Sequence, residues 1–227
     1  MPKKKSPTAT KPETQKTRVL IVDDHPVFRT GLAGLVNLEK DLAICGEAQD
    51  ASQAMRALEA LKPDLVLMDL SLPGKSGLEL LKDFRAMSPR TPVLMISMHD
   101  ETLYAERVIR AGGKGYIMKQ EGPERIIQGI RKVLSGGIFV SERISTLILD
   151  ALSGAKSGAS PVSTLTDREF EVYRLLGQGR EPHEIANILH VSIKTVDTHR
   201  MHIRRKLSLR NATELIHHAT RWAAEQG

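Results

Sequence analysis

Cysteine is almost missing from this chain: Cys45 is the sole one among 227 residues, so no internal disulfide can form, and the composition fits a reducing cytoplasm. Cys45 lies in the apolar stretch LAICG, where the natural reading of a free thiol is a small buried hydrophobe. Aromatics are nearly as scarce, at 4%, which leaves any core to Leu, Ile, Val, Ala and Met. No apolar run approaches the roughly 20 residues of a membrane-spanning helix. The basic N-terminus is followed by no apolar segment of the kind a secretion signal needs. These absences exclude a disulfide scaffold and predict a cytoplasmic protein without a membrane partner.

What is present is charge, unevenly spread. The net charge of +6 resolves into +5 over residues 1–18, −1 over 19–140, zero over 141–162 and +2 over 163–227. Residues 191–210 hold six basic side chains and a single acid, Asp197. Such a short basic segment suits contact with a phosphate backbone, with a solvated helix face as the bland alternative.

Residues 1–16 are mostly Lys, Pro, Thr and Ser, and are expected to form a disordered basic tail. From residue 17 the pattern alternates. Apolar runs of strand length fall at 18–22, 42–45, 64–68, 93–97 and 115–118, and helix-length amphipathic segments at 26–38, 50–61, 75–87, 101–111 and 122–135. Strand runs that are apolar on both faces belong to a covered parallel sheet. Pro26 suits the first turn of a helix and Asp50 a helix cap. The pattern predicts an α/β doubly wound, five-stranded parallel sheet of the flavodoxin-like kind over 17–138.

After Gly136 and Gly137 the alternation stops. Residues 141–152 read as one more helix, and SGAKSGASPVS (153–163) as a flexible linker, giving a linker region over 139–162. Thr166 and Glu169 form a capping box that opens helices expected at 167–177, 181–189, 192–207 and 211–224. Residues 163–227 are therefore expected to be a small all-helical domain.

Ligands of open parallel sheets bind beyond the carboxyl ends of the strands. Asp23 and Asp24 in VLIVDDHP, Asp69 in DLVLMDLSLPGKSG, Ser97 in TPVLMISMHDE and Lys119 in GKGYIMKQ all fall there. Taken singly, a strand-end Asp is more often a helix cap or loop residue. Together, carboxylates that would repel one another call for a shared hard cation, and their oxygen ligands suit Mg2+. A metal-bound carboxylate beside a lysine and a hydroxyl is a place to accept a phosphoryl group. His25 adjoins the acidic pair, and a helix-start role explains it better than metal ligation.

With this spacing, about residues 17–138 resemble the receiver domain of bacterial response regulators. The resemblance implies that Asp69 is the phospho-acceptor, that Asp24 ligates Mg2+ directly and Asp23 through water, and that the Ser71 carbonyl completes the ligands. It also implies that Ser97 and Lys119 contact the phosphoryl group and that Tyr116 is the aromatic switch, which on its own reads as a half-buried sheet tyrosine. Two residues depart from the common pattern. Met98 follows Ser97 where many receivers have a small residue, and is expected to narrow access to the acyl phosphate. Gln120 follows Lys119 where many have proline.

In 165–219, EIANILHVSIKTV reads as two helices joined by a tight turn, with Ala186 close to the turn and Ser192 capping the second helix. Val196, His199, Ile203 and Leu207 share one face and should be core. Lys194, Thr195, Asp197, Thr198, Met201, Arg204 and Arg205 are the candidate DNA contacts, as on a recognition helix in the major groove. LTDRE, the IA…L..S..TV core and the closing Lys206, Leu207 and Leu209 resemble the DNA-binding domain of the NarL/FixJ/LuxR family. Asp197 stands where that family usually has Lys, which predicts a different target site. His217 and His218 are expected on a surface helix with no ligand partner.

The resemblance implies a response regulator of a two-component system: a sensor histidine kinase supplies phosphate, and a phosphorylated homodimer binds double-stranded DNA to regulate transcription. The chain is then a substrate of signalling rather than a turnover enzyme. A dehalogenase-type phosphatase would need a second Asp where Ser71 stands. A phosphorylation-independent DNA-binding regulator with a receiver-like interaction domain is the alternative.

Overall fold

Alternating residues of the central strands divide between two cores, which is how a covered parallel sheet shows itself in packing. The computed structural model describes residues 16–152 and 161–226. The expected tail up to residue 15 and the linker stretch 153–160 lie outside the described residues. The strands are β1 (Thr17–Val22), β2 (Leu42–Ala48), β3 (Leu65–Met68), β4 (Val93–Ser97) and β5 (Gly115–Met118). They form one parallel sheet in the order β2-β1-β3-β4-β5.

Between the strands run α1 (Pro26–Leu38), α2 (Ala51–Leu61), α3 (Gly77–Met87) and α4 (Glu101–Arg110), and α5 (Pro123–Leu134) follows β5. Val19, Ile21, Leu65, Leu67, Leu94 and Ile96 pack with residues of α1 and α5 on one face. Leu20, Val22, Val66, Met68 and Met95 pack with α2, α3 and α4 on the other. Caps fix where the helices start: Pro26 opens α1, and Asp50 accepts from the Gln53 amide at 2.8 Å to open α2.

The expected elements match closely, except that β2 runs three residues further, to Ala48. It is an edge strand, so Gly46 and the exposed Glu47 break the apolar run without ending the pairing. Its register against β1 slips between Val19 and Leu20, leaving Cys45 as the extra residue of a bulge. Cys45 is half-buried rather than buried, and burial raises its thiol pKa.

Beyond β5, the Phe139 amide donates to Lys114 and its carbonyl accepts from Tyr116, which continues the sheet edge before α6 (Glu142–Leu152) packs against α4. The C-terminal unit holds α7 (Asp167–Gly177), α8 (Pro182–Ile188), α9 (Ile193–Lys206) and α10 (Ala212–Gln226). Its packing starts before the expected linker ends: Pro161–Thr164 forms a 3-10 turn and Val162 is buried. The capping box of Thr166 and Glu169 opens α7, the Glu169 carboxylate accepting from the Thr166 amide at 2.7 Å. Among the described residues no helix is long and apolar enough to cross a membrane.

Candidate functional site

The parallel ladder carries the acidic side chains to one edge of the sheet. The Asp23 amide donates to the Ala48 carbonyl at 3.0 Å, Asp69 to Val22 at 2.8 Å, and Lys119 to Ser97 at 2.7 Å. These bonds seat the ends of β1, β3, β4 and β5 side by side. Lys119, although followed by Gln120, reaches back to place its ammonium 2.7 Å from Asp69 Oδ2 and 2.6 Å from Asp23 Oδ2. All three side chains are about 97% buried or more. The ammonium also lies 4.5 Å from the Phe28 ring centroid.

Burial pushes the Asp69 carboxyl up to about 6, the Asp23 charge adding to the rise while Lys119 and the Ser71 amide pull against it. At neutral pH the group stays ionised, as a nucleophile must be. Its Oδ1 accepts from the Ser71 amide at 3.2 Å. Two further features hold this loop. Arg29 donates to the Asp23 carbonyl at 2.6 Å and, through Nε, to Glu47 at 2.9 Å. Gly77 opens α3 directly under Asp69, where a Cβ would overlap the Asp69 carbonyl oxygen and lie 2.8 Å from the Leu70 Cα.

Asp23, Asp24, Asp69 and His25 each bring a ligand atom within 4.8 Å of the others. Asp24 Oδ1 lies 2.8 Å from His25 Nδ1, but in a geometry that makes no hydrogen bond, so this buried oxygen has no hydrogen-bond partner among the described residues. An orphaned carboxylate oxygen beside two more carboxylates fits a hard divalent cation. The bland reading of His25 holds in part: it precedes α1 and gives it no side-chain cap, and its ring stands against the acidic cluster.

Ser97 is buried, and its Oγ accepts from the His99 amide at 3.2 Å. Tyr116 is 1% exposed and its hydroxyl donates to the His99 carbonyl at 2.9 Å. The ring is thus turned inward, and the His99 carbonyl is what holds it. Met98 is 56% exposed and does not fill the pocket.

In the C-terminal unit, α8 and α9 are joined by a turn in which His190 adopts a φ of +52° and the Val191 amide donates to the Ala186 carbonyl at 3.0 Å. Ser192 caps α9 by accepting from the Thr195 amide at 3.0 Å. Val196 and Ile203 are fully buried, Leu207 half so. His199 is half-buried, and its Nδ1 is sealed from solvent without a partner among the described residues. On the outer face Lys194, Asp197, Thr198, Met201 and Arg205 are exposed. Thr195 and Arg204 are half-buried, and the Thr195 hydroxyl lies 2.8 Å from Ser192 Oγ at the cap. Asp197 accepts from Arg200 at 2.8 Å, a pairing on one helix turn that the charge count alone did not single out. The Nδ1 of His218 lies 2.6 Å from the Tyr173 hydroxyl.

No residue spacing foretells the seam between the two units. Arg107 of α4 donates to the carbonyls of Leu165 at 2.9 Å and Val162 at 3.0 Å, and stacks 4.1 Å from the Phe170 ring centroid. Tyr104, fully buried, stacks on His99 at a centroid distance of 5.1 Å and meets Phe170 edge-to-face at 5.4 Å. Lys82 pairs with Asp167 at 2.7 Å. The C-terminal unit therefore docks through α7, and not through the outer face of α9.

Two family models match the chain: the response regulator receiver domain over residues 19–131, and bacterial regulatory proteins of the luxR family over 163–219. The oxygen regulatory protein NreC of Staphylococcus aureus (strain JH9) is 36% identical, covering 89% of this chain and 96% of its own. A LuxR-family two-component response regulator from Aurantimonas sp. SI85-9A1 is 32% identical with a TM-score of 0.57, over 61% of this chain and 99% of that one. RcsB of Salmonella typhimurium, a response regulator whose structure concerns conformational dynamism for DNA interaction, is 26% identical with a TM-score of 0.63, over 91% of this chain and 98% of that one. With a receiver carrying its acidic cluster and a LuxR-type helical domain behind it, this chain belongs to the NarL/FixJ-type response regulators, the DNA-binding transcription regulators of two-component systems.

Proposed function

We propose that Asp69 accepts a phosphoryl group from a sensor histidine kinase and that the phosphorylated chain binds DNA as a homodimer, without acting as a turnover enzyme. The observation that carries this reading is the convergence of Asp23, Asp24, Asp69 and Lys119 on one pocket. A carboxylate oxygen of Asp69 forms the bond to phosphorus as the donor's bond to phosphorus breaks, the donor leaving with the electron pair. Lys119 meets the charge on the transferred oxygens, and the Ser97 hydroxyl, freed from the His99 amide, contacts one of them. Asp23, Asp24, Asp69 and the Ser71 carbonyl would hold Mg2+, which when bound neutralises charge on the phosphoryl oxygens.

In the helical unit, Lys194, Thr195, Arg204 and Arg205 serve phosphates, while Asp197, Thr198 and Met201 face base edges. One recognition helix covers few base pairs, so specific binding calls for two half-sites and a dimer. The chain divides functionally into a tail at 1–16, a receiver at 17–138, a linker at 139–162 and a DNA-binding domain from 163, working in the cytoplasm. Intact-protein mass spectrometry after incubation with acetyl phosphate and Mg2+ tests the core of this reading. One added phosphoryl group is expected, lost in Asp69→Asn and on chelation; undiminished labelling of Asp69→Asn defeats it.

A further inference from the structure

The acidic cluster opens at Asp24 and Ser71 onto a cavity with a roof, and the roof belongs to the other unit. Above the edge of the sheet lies a cavity of about 240 Å3. Asp24, Ser71 and His99 line it from the receiver side, and Arg168, Arg174 and His190 from the helical side. The roof is fastened beside the cavity as well as further off. Arg174 Nε donates to the Tyr104 hydroxyl at 3.1 Å, and Arg168 reaches the Gly74 carbonyl at 3.4 Å. On the floor, the ring of His99 lies 2.9 Å from Ser71 Oγ and stacks on Tyr104. The cavity is not sealed: the side chains of Asp24 and His25 remain 29% and 61% exposed at its margin.

Size decides who can enter. An α-helix with its side chains is about 10–12 Å across, and a folded donor must bring its backbone close to deliver a phosphate carried on a short histidine side chain. A cavity of about 240 Å3 takes a molecule of a few heavy atoms but not such a body while α7 stays down. We propose that the helical domain is a lid on the phospho-acceptor pocket. The docked chain takes phosphate from small acyl phosphates and phosphoramidates, and a protein donor gains access only when α7 lifts. This rests on the assignment of Asp69 as acceptor. The chemistry is the same for both donors: Asp69 bonds to phosphorus, and the acetate, ammonia or imidazole leaves with the electrons of the broken bond, the nitrogen leaving groups taking a proton from water.

Two donors and two proteins test it. The full-length chain and an Arg107→Glu/Arg174→Glu double variant are each given phosphoramidate and, separately, a histidine-phosphorylated phosphotransfer domain, with Mg2+. The double change sets carboxylates against the carbonyls of Leu165 and Val162 and against Tyr104, so the seam should part. Trp222, the only tryptophan, packs on Phe170 at 5.5 Å and reports the parting by its emission. The ratio of protein-donor to small-donor rates cancels any change in pocket chemistry, and it should rise at least tenfold in the variant. An unchanged ratio overturns the lid, and so does unchanged Trp222 emission, since the seam would then not hold the domain. Failure of phosphoramidate to label Asp69 in the unaltered chain overturns the acceptor assignment instead.

Discussion

Arg174 of the helical unit donates a hydrogen bond to the hydroxyl of Tyr104, a receiver residue that no solvent reaches. Burial pushes the Tyr104 hydroxyl up to about 12, so it remains neutral and accepts from the guanidinium. A charged donor on a buried acceptor contributes roughly 1.5–3 kcal/mol. Tyr104→Phe keeps the ring between His99 and Phe170 and removes only that bond. We expect the docked population to fall by about tenfold or more, read as a larger radius of gyration in small-angle scattering. An unchanged radius would mean that the other seam contacts, those of Arg107 and Lys82 among them, hold it without this bond.

Gly77 leaves no room for a side chain. Gly77→Ala drives a methyl group into the backbone of Asp69 and Leu70, and backbone cannot rotate away as a side chain can. Overpacking of this kind costs about 1–3 kcal/mol, and here it displaces the acceptor itself. Denaturant unfolding and acetyl phosphate labelling should both suffer. A variant with normal stability and full labelling would show that the loop after β3 is softer than its contacts imply.

Reading of DNA should separate along α9. If a dimer neutralises about six phosphates, log K falls against log salt with a slope near −5. Arg205→Ala should weaken binding to all sequences alike and flatten that slope. Asp197→Lys removes the acid that Arg200 now pairs with, and should change which sequences a binding-site selection returns. Recovery of the original motif would remove Asp197 from the readers.

The stability of the receiver should fall in acid through His99. Burial, followed by the charges of Arg174 and Lys119, holds its imidazole down at about 4. The unfolded chain binds that proton near pH 6.5. Between those values the unfolded state holds more protons, so stability is full above pH 6.5 and is lost as the pH falls toward 4. The loss from this group is at most about 3 kcal/mol. His99→Gln should flatten the pH dependence of the urea midpoint over that window; an identical slope would locate the acid sensitivity in the carboxylates.

The sequence was most legible where local chemistry settles the outcome. Apolar runs covered on both faces gave the strands, and caps such as Asp50, Thr166 and Ser192 gave the helix starts. The strand-end rule brought Asp23, Asp24, Asp69, Ser97 and Lys119 together from positions up to 96 residues apart. What stayed hidden depends on how units meet. Nothing in the spacing of Tyr104, Arg107 and Arg174 joins α4 to α7, because each reads as an ordinary residue of its own helix. The orientation of Tyr116 is hidden for the same reason: a backbone carbonyl, that of His99, fixes it. Side-chain pairing on exposed turns, as between Asp197 and Arg200, also lies beyond a count of charges.

The docking of α7 leaves the outer face of α9 bare, with Lys194, Asp197, Thr198, Met201 and Arg205 all open to solvent. On the function proposed above, an unphosphorylated monomer would keep its electrostatic hold on nucleic acid and could hop and slide along it. On such a molecule a signal has less to do with letting the protein reach DNA than with how long it stays. Pairing two copies would turn a brief visitor, released within one encounter, into a resident of the sites where both half-sites are present.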